Sequence, residues 1–275
     1  MESNSIISTL VSTLVYEFQG IHISNAFDGE FKLYQAQPAI LQLRLLRWAQ
    51  AVGAIITEKD EYQEMPLRGG GNMIDVPTLV LKGGLSQTGR VEDVLHAMRL
   101  VLGRAQKESL RCNRPKNTDE MSNSFQGGGE ELCPPRFKRL NLKLQELINK
   151  RWHDPTRVKG TRWLLHHREQ CELFKSQILG HFDQLEKFVE PESRLVELSQ
   201  EDCKAMGDSL TTLLDVIGEC DPRLKEAAKK RLQDEENSTR VSFSATNNYG
   251  QQIGVFRAEM RGISFGTNNT IHNQW

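Results

Sequence analysis

No run of eighteen apolar residues occurs anywhere in the 275-residue chain, so no constitutive transmembrane helix is written into it. No Lys or Arg precedes Lys32, and the basic start of a secretory signal is missing. No C-x-x-C pair links the five cysteines, Cys112, Cys133, Cys171, Cys203 and Cys220. Odd in number and widely spaced, they predict reduced thiols of a cytosolic protein, with neither a disulfide framework nor a zinc site. Net charge is nearly absent at −1, so no global field attracts nucleic acid. The Arg68-Gly-Gly-Gly-Asn72 cluster lacks the G-K-[ST] ending of a phosphate loop. Adjacent His166 and His167 would point to different sides of a helix and make no shared metal site. With no nucleophile motif and no ligand spacing, the expectation is a protein with no catalytic residue, metal, cofactor or small-molecule substrate.

What is present is helical periodicity. The chain is organised around Pro38 to Val52, where Leu41, Leu45, Trp48 and Val52 recur at helical spacing and Leu46 and Ala49 widen the stripe. Arg44, Arg47 and Gln50 are expected largely on the opposite, polar side. Pro38 suits a first turn and Gly53 a left-handed C-terminal cap. Further helices are predicted near Val91 to Arg111, Arg136 to Trp152, Trp163 to Phe188, Leu195 to Met206, Asp208 to Ile217 and from Pro222 through Glu236. Between 54 and 90 the periodicity lapses. Met73 to Leu81, short and β-branched, reads as a small hairpin or an extended loop. Residues 113–135 read as a polar linker or a long surface loop. The fold class is therefore all-α: a multi-helix bundle over 1–235, with one short β-hairpin as an option.

Two stretches suggest chemistry beyond packing. Residues 3–16 carry no charge, and Ile6, Ile7, Leu10, Val11, Leu14, Val15 and Phe18 line one face. This is either a first core helix or a helix able to leave the core for a bilayer. Extended to Phe27 it approaches the ~20 residues of a span, but Glu17 and His22 interrupt it. From Arg136 to Arg162 basic residues outnumber acidic ones. Arg136, Lys138, Arg139, Lys143, Lys150 and Arg151 give the helix a basic face. That face is a solvated surface, a site for anionic lipid, or a nucleic-acid surface. The last reading is weakened by limited aromatic interleaving.

Residues 236–275 are a different material. From Asn237 onward there is no Pro, Lys, Leu or Cys. Period-two patches at Val241/Phe243/Ala245, Ile253/Val255 and Ile263/Phe265 are punctuated by Gly250, Gly254, Gly262 and Gly266. Such a tail cannot bury a core alone. It reads as a disordered end, and its low charge, β-propensity and Asn/Gln content also suit cross-β stacking.

The stretch Phe27-x-x-x-Phe31, followed by Gln42-Leu-Arg-Leu-Leu-Arg-Trp48-x-x-Ala51-Val-Gly53, resembles the fungal prion-inhibition and propagation (HeLo) domain. Phe27, Phe31, Leu43, Leu45, Arg47 and Trp48 carry the signature. The resemblance spans roughly 5–230 and implies a helical bundle that acts as a membrane-targeting, pore-forming domain in fungal programmed cell death and heterokaryon incompatibility. It further implies an N-terminal segment, here Ile6 to Phe18, that is released on activation. In the tail, Asn247, Asn248, Gly250, Gln252, Ile253 and Gly254 resemble a fungal amyloid signalling motif of the N-x-G-x-Q-x-G kind, related to the mammalian RHIM core. That resemblance implies two partners, a NOD-like receptor with a matching motif and further copies of the chain itself, while the basic face and the membrane-targeting HeLo resemblance point to a third, anionic membrane lipids. The expected location is cytoplasmic at rest and plasma membrane when active. The competing expectation is a non-toxic interaction module that regulates prion propagation without inserting.

Overall fold

The computed structural model describes residues 2–23, 34–55, 79–112, 134–152, 163–165 and 167–239. In chain order these form α1 (Glu2–Gln19), β1 (Ile21–Ile23), α2 (Gln37–Ala51), α3 (Thr88–Cys112), α4 (Pro135–Arg151), β2 (Trp163–Leu165), α5 (Arg168–Glu186), α6 (Ser193–Met206), α7 (Leu210–Ile217) and α8 (Pro222–Thr239). Short 3-10 turns, Gly84–Gln87 and Gly207–Ser209, lead into α3 and α7. Residues Met1–Leu232 make one compact unit, and Gln233–Trp275 a second, of which only the last turns of α8 are described.

The organising helix is α2, which packs against α1, α4, α5, α6 and α7. Its ends follow its sequence. Pro38 lies in the first turn, and Gly53 takes φ +71° just past the end. There Ala54 N–H donates to the Ala49 carbonyl at 2.7 Å and Gly53 N–H to the Gln50 carbonyl at 3.2 Å. These paired bonds satisfy carbonyls that the helix end would otherwise orphan. Every residue from Ile40 to Ala49 is buried, so α2 has no solvated face at its centre. Arg44 (3% exposed) and Arg47 (2%) lie inside the bundle. This corrects the amphipathic reading: five neighbours surround α2, and its guanidinium groups are answered by carboxylates from other elements.

The other helices obey local rules. Pro135 opens α4, where its missing N–H costs nothing. Asp221 caps α8 by accepting from Leu224 N–H at 3.0 Å, with Pro222 at the first helical position. A capping box joins His167 and Gln170 at the start of α5.

The described β-structure is not a hairpin. Strands β1 and β2 pair in parallel, Ile21 with Trp163, His22 with Leu164 and Ile23 with Leu165. Trp163 N–H donates to the Gly20 carbonyl at 2.9 Å, and Leu164 N–H to Ser109 Oγ on α3 at 3.0 Å. Trp163–Leu165 therefore belongs to a strand, and the helix expected from Trp163 begins at Arg168. Most of Met73–Leu81 lies outside the described residues.

Candidate functional site

Helix α1 lies against α2 and α3. Ile7, Leu10, Val11, Leu14, Val15 and Phe18 are all buried, as their spacing predicts, whereas Ile6 is 43% exposed. Ile6 is corrected from the stripe to its exposed rim. Phe18 sits among Phe174 and Phe182 of α5, with ring centroids 6.5 and 6.3 Å away. Burying an apolar side chain of this size contributes ~1.5–3 kcal/mol, so six such side chains represent roughly 9–18 kcal/mol. That sum matches the ~5–15 kcal/mol stability of an entire domain. Helix α1 therefore cannot leave the bundle for water. It can leave only for another apolar phase.

Polar ties hold α1 at a few points. Ser8 Oγ donates to the Ala54 carbonyl at 2.7 Å, and Gln42 Nε2 on α2 donates to the Val15 carbonyl at 3.2 Å. Glu17 pairs with Arg99 of α3 at 3.4 Å. Burial raises the Glu17 pKa, and Arg99 opposes that rise. The outer face treats its hydroxyls differently. Thr9 donates to the Ser5 carbonyl at 2.7 Å, Ser12 to Ser8 at 2.9 Å and Thr13 to Thr9 at 2.9 Å. These polar groups are satisfied within the helix, which lowers the cost of removing them from water. The helix stops at Gln19, followed by a turn at Gly20 and by β1, so it does not run on toward Phe27. Among the described residues no helix is long and apolar enough to cross a membrane.

Beneath α1, the arginines of α2 enter a buried charge network. Arg44 reaches Glu186 at 2.7 Å, Asp183 at 2.9 Å and the Cys220 carbonyl at 3.1 Å. Arg47 pairs with Asp202 at 3.2 Å and with Asp221, and donates to Ser199 Oγ. Arg151, at the end of α4, donates to Asp202 at 2.6 and 3.0 Å, to the Leu198 carbonyl at 3.1 Å and to Gln50. Arg223 of α8 bridges Glu186 at 3.1 Å and Glu192 at 2.7 Å. One network thus joins α2, α4, α5, α6 and α8. Burial drives the Arg47 pKa down to about 10 against the pull of Asp202, leaving it charged at neutral pH. Burial alone would raise Glu186, but Arg44 and Arg223 outweigh it and hold the carboxyl below its ordinary range. Trp48 completes the signature by donating Nε1–H to the Leu185 carbonyl at 2.8 Å, and Leu43 and Leu45 are fully buried. Phe27 and Phe31 lie outside the described residues.

The acidic half of this network escaped sequence reasoning, although one signal was available. Asp202 stands on the stripe Leu195, Leu198, Ser199, Met206, a polar residue where α6 faces inward. The basic helix needs a correction too. Lys138, Arg139, Lys143 and Lys150 lie on the outer side of α4, and exposed Arg136 pairs with Asp215 at 3.6 Å. Arg151 is 6% exposed and bound to Asp202, so it does not belong to the basic face. Buried Cys171, Cys203 and Cys220 are free thiols that burial pushes up to about 12, 11 and 12. The tail motif from Asn247 to Gly254 lies outside the described residues.

Residues 5–216 match the family model HeLo, prion-inhibition and propagation. The chain belongs to the HeLo family. Among curated relatives, this HeLo chain is 24% identical over 228 residues to heterokaryon incompatibility protein S of Podospora anserina, covering 82% of this chain and 71% of that one. Heterokaryon incompatibility protein s of the same fungus matches at the same identity and coverage. Among solved structures, the HET-s N-terminal domain superposes with a TM-score of 0.64 at 20% identity, covering 84% of this chain and 98% of that domain. A mutant form of the same domain gives 0.61 at 21% identity, covering 82% of this chain and 98% of that one. The HeLo bundle is thus shared in fold, and the Arg44–Arg47–Trp48 signature helix is its centre here.

Proposed function

We propose that this HeLo chain is a non-enzymatic effector of fungal programmed cell death and heterokaryon incompatibility. On this reading the tail is templated by a NOD-like receptor bearing a matching motif, and further copies add to it by backbone pairing. Stacked chains sit roughly 4.7–4.9 Å apart, far closer than the globular bundles they carry. Crowding then loosens the bundle at a plasma membrane with anionic lipids, and α1 enters the bilayer. Before templating the protein is cytoplasmic, and any contact of the folded bundle with a membrane surface is reversible. Neither nucleic acid nor a small-molecule substrate takes part.

The observation that carries this reading is the construction of α1. Its inner face is apolar, residues 3–16 are uncharged, and its outer hydroxyls bond to its own carbonyls. A permanent core helix gains nothing from an uncharged solvent face. The second reading, an interaction module that never inserts, is favoured by the Glu17–Arg99 pair and by the end of α1 at Gln19.

Dye release from anionic liposomes separates the two. The full chain is seeded with fibrils of residues 237–275, beside the variant Thr9→Lys. Thr9 is exposed in the bundle, so folding is retained, but a charge inside an inserted helix costs ~2.5–3.5 kcal/mol. Release by the parent chain, cut by about tenfold or more in Thr9→Lys, supports insertion. Sealed liposomes in the presence of growing fibrils would sink the effector reading and leave the interaction module.

A further inference from the structure

The outer side of α4 carries cations that no carboxylate among the described residues answers. Lys138, Arg139 and Lys150 are exposed and make no ion pair among the described residues. The carboxylate of Glu146, on the same side, is taken by Lys143 at 2.7 Å. Amid these charges stands Leu142, 63% exposed, one turn beyond Lys138 and Arg139. The opposite face of α4 is sealed into the core through Phe137, Leu140, Leu144, Leu147 and Ile148. The presented surface is thus a convex helix face with a protruding leucine, Lys138 and Arg139 one turn before it and Lys150 two turns after it. No aromatic side chain lies on it to stack a base: Phe137 is buried under the Arg136 guanidinium, 4.8 Å from its ring centroid. At the end of α4, Trp152 meets Tyr16 of α1 edge to face, with centroids 4.6 Å apart.

We infer that this face docks the still-folded bundle onto a bilayer containing anionic headgroups. Lys138, Arg139 and Lys150 meet the headgroups, and Leu142 enters the layer between them. The inference rests on the membrane-acting reading above and adds a step that precedes any release of α1. Charge complementarity selects the occupant: a bilayer surface is a plane of negative charge over apolar chains, matching cations around an exposed leucine. The Tyr16–Trp152 contact ties the end of α4 to α1, so docking through α4 holds α1 near the bilayer while it is still packed.

The test is co-sedimentation of the full, unseeded chain with phosphatidylcholine vesicles with and without phosphatidylserine. Binding is expected only with phosphatidylserine and to weaken with added salt. Lys138→Gln/Arg139→Gln/Lys150→Gln is expected to bind about 100-fold more weakly, at about 5-fold per neutralised cation. Leu142→Ser, which leaves the charge untouched, is expected to lose about 5–10-fold. Arg104→Gln/Lys107→Gln, which removes exposed charge from α3, should bind like the parent. Equal binding to phosphatidylcholine alone, or unaltered binding by both the triple variant and Leu142→Ser, overturns the inference. Equal loss in the α3 control overturns it as well, since attraction would then be diffuse. Tighter binding to a duplex oligonucleotide than to phosphatidylserine at equal phosphate overturns it in favour of nucleic acid. Dye release on seeding separates the two readings. If seeded chains fail to release dye but α4-dependent binding persists, the effector reading fails alone. If release persists without α4-dependent binding, docking fails alone.

Discussion

Arg47→Met puts the buried charge network to its most direct test. Arg47 sits at the junction of α2, α6 and α8, between Asp202 and the α8 cap Asp221, and is 2% exposed. Methionine fills much of the aliphatic volume and removes the charge. Asp202 keeps Arg151 at 2.6 Å, but Asp221 is left buried with only the Leu224 N–H at 3.0 Å. Breaking one side of a buried pair costs ~3–5 kcal/mol, because the surviving charge stays desolvated without its partner. With a urea dependence of ~2.5 kcal/mol per molar, the unfolding midpoint should fall by roughly 1–2 M. Asp221→Asn keeps an oxygen to cap α8 while removing the charge. If the pair is the cause, Arg47→Met/Asp221→Asn will lose less than the two single losses added, with a coupling of about 1–3 kcal/mol. The assay is equilibrium urea unfolding of the full chain, followed by circular dichroism. A midpoint shift under about 0.3 M in Arg47→Met at unchanged urea dependence, or strict additivity in the double variant, would refute the reasoning.

Two further outcomes follow from the same geometry. Glu186 is held below its ordinary pKa by Arg44 and Arg223 after burial has worked the other way, so its contribution is fully present above the unfolded carboxylate range near ~4.3 and is lost as pH falls through the folded value. Urea midpoints measured from neutral to acid pH should therefore decline less steeply in Glu186→Gln than in the parent. A matching decline in both would place the acid sensitivity elsewhere. Glu17 has the opposite sign: its raised pKa means that the ionised form is disfavoured in the fold at neutral pH. Glu17→Gln should keep or slightly raise the thermal midpoint and should speed dye release after seeding, since it removes a charge from the inserting helix. A clear loss of thermal stability would show that the Arg99 pair outweighs the burial cost.

Much of the bundle is legible in the sequence. Pro38 and Gly53 mark the ends of α2 because a proline ring and a left-handed backbone are local demands, met before any tertiary contact forms. The inward face of α1 from Ile7 to Phe18 follows from its 3.6-residue spacing alone. The parallel pair β1–β2 could not be read, because three residues are too few to show an alternation and the partner strand lies far along the chain. Trp163–Leu165 looked like a helix start for the same reason. On α4, periodicity sorted the outer lysines correctly and misassigned Arg151, whose side chain turns inward to meet Asp202.

The sequence by itself determined most of the helical segments, both ends of α2, that α1 is uncharged along residues 3–16, and that the chain carries the HeLo signature. These are properties of neighbouring residues, set by backbone sterics and by the spacing of apolar side chains. Only the tertiary structure decided that α2 is buried on all sides and that Arg44, Arg47 and Arg151 are core cations rather than surface ones. A guanidinium is placed inside only if carboxylates from other elements reach it, and no single-helix pattern contains those partners. Asp183 and Glu186 come from α5, Asp202 from α6, and Asp221 from the cap of α8. The charge network is therefore a product of assembly, as is the division of α4 into exposed cations outside and one buried, bound arginine within.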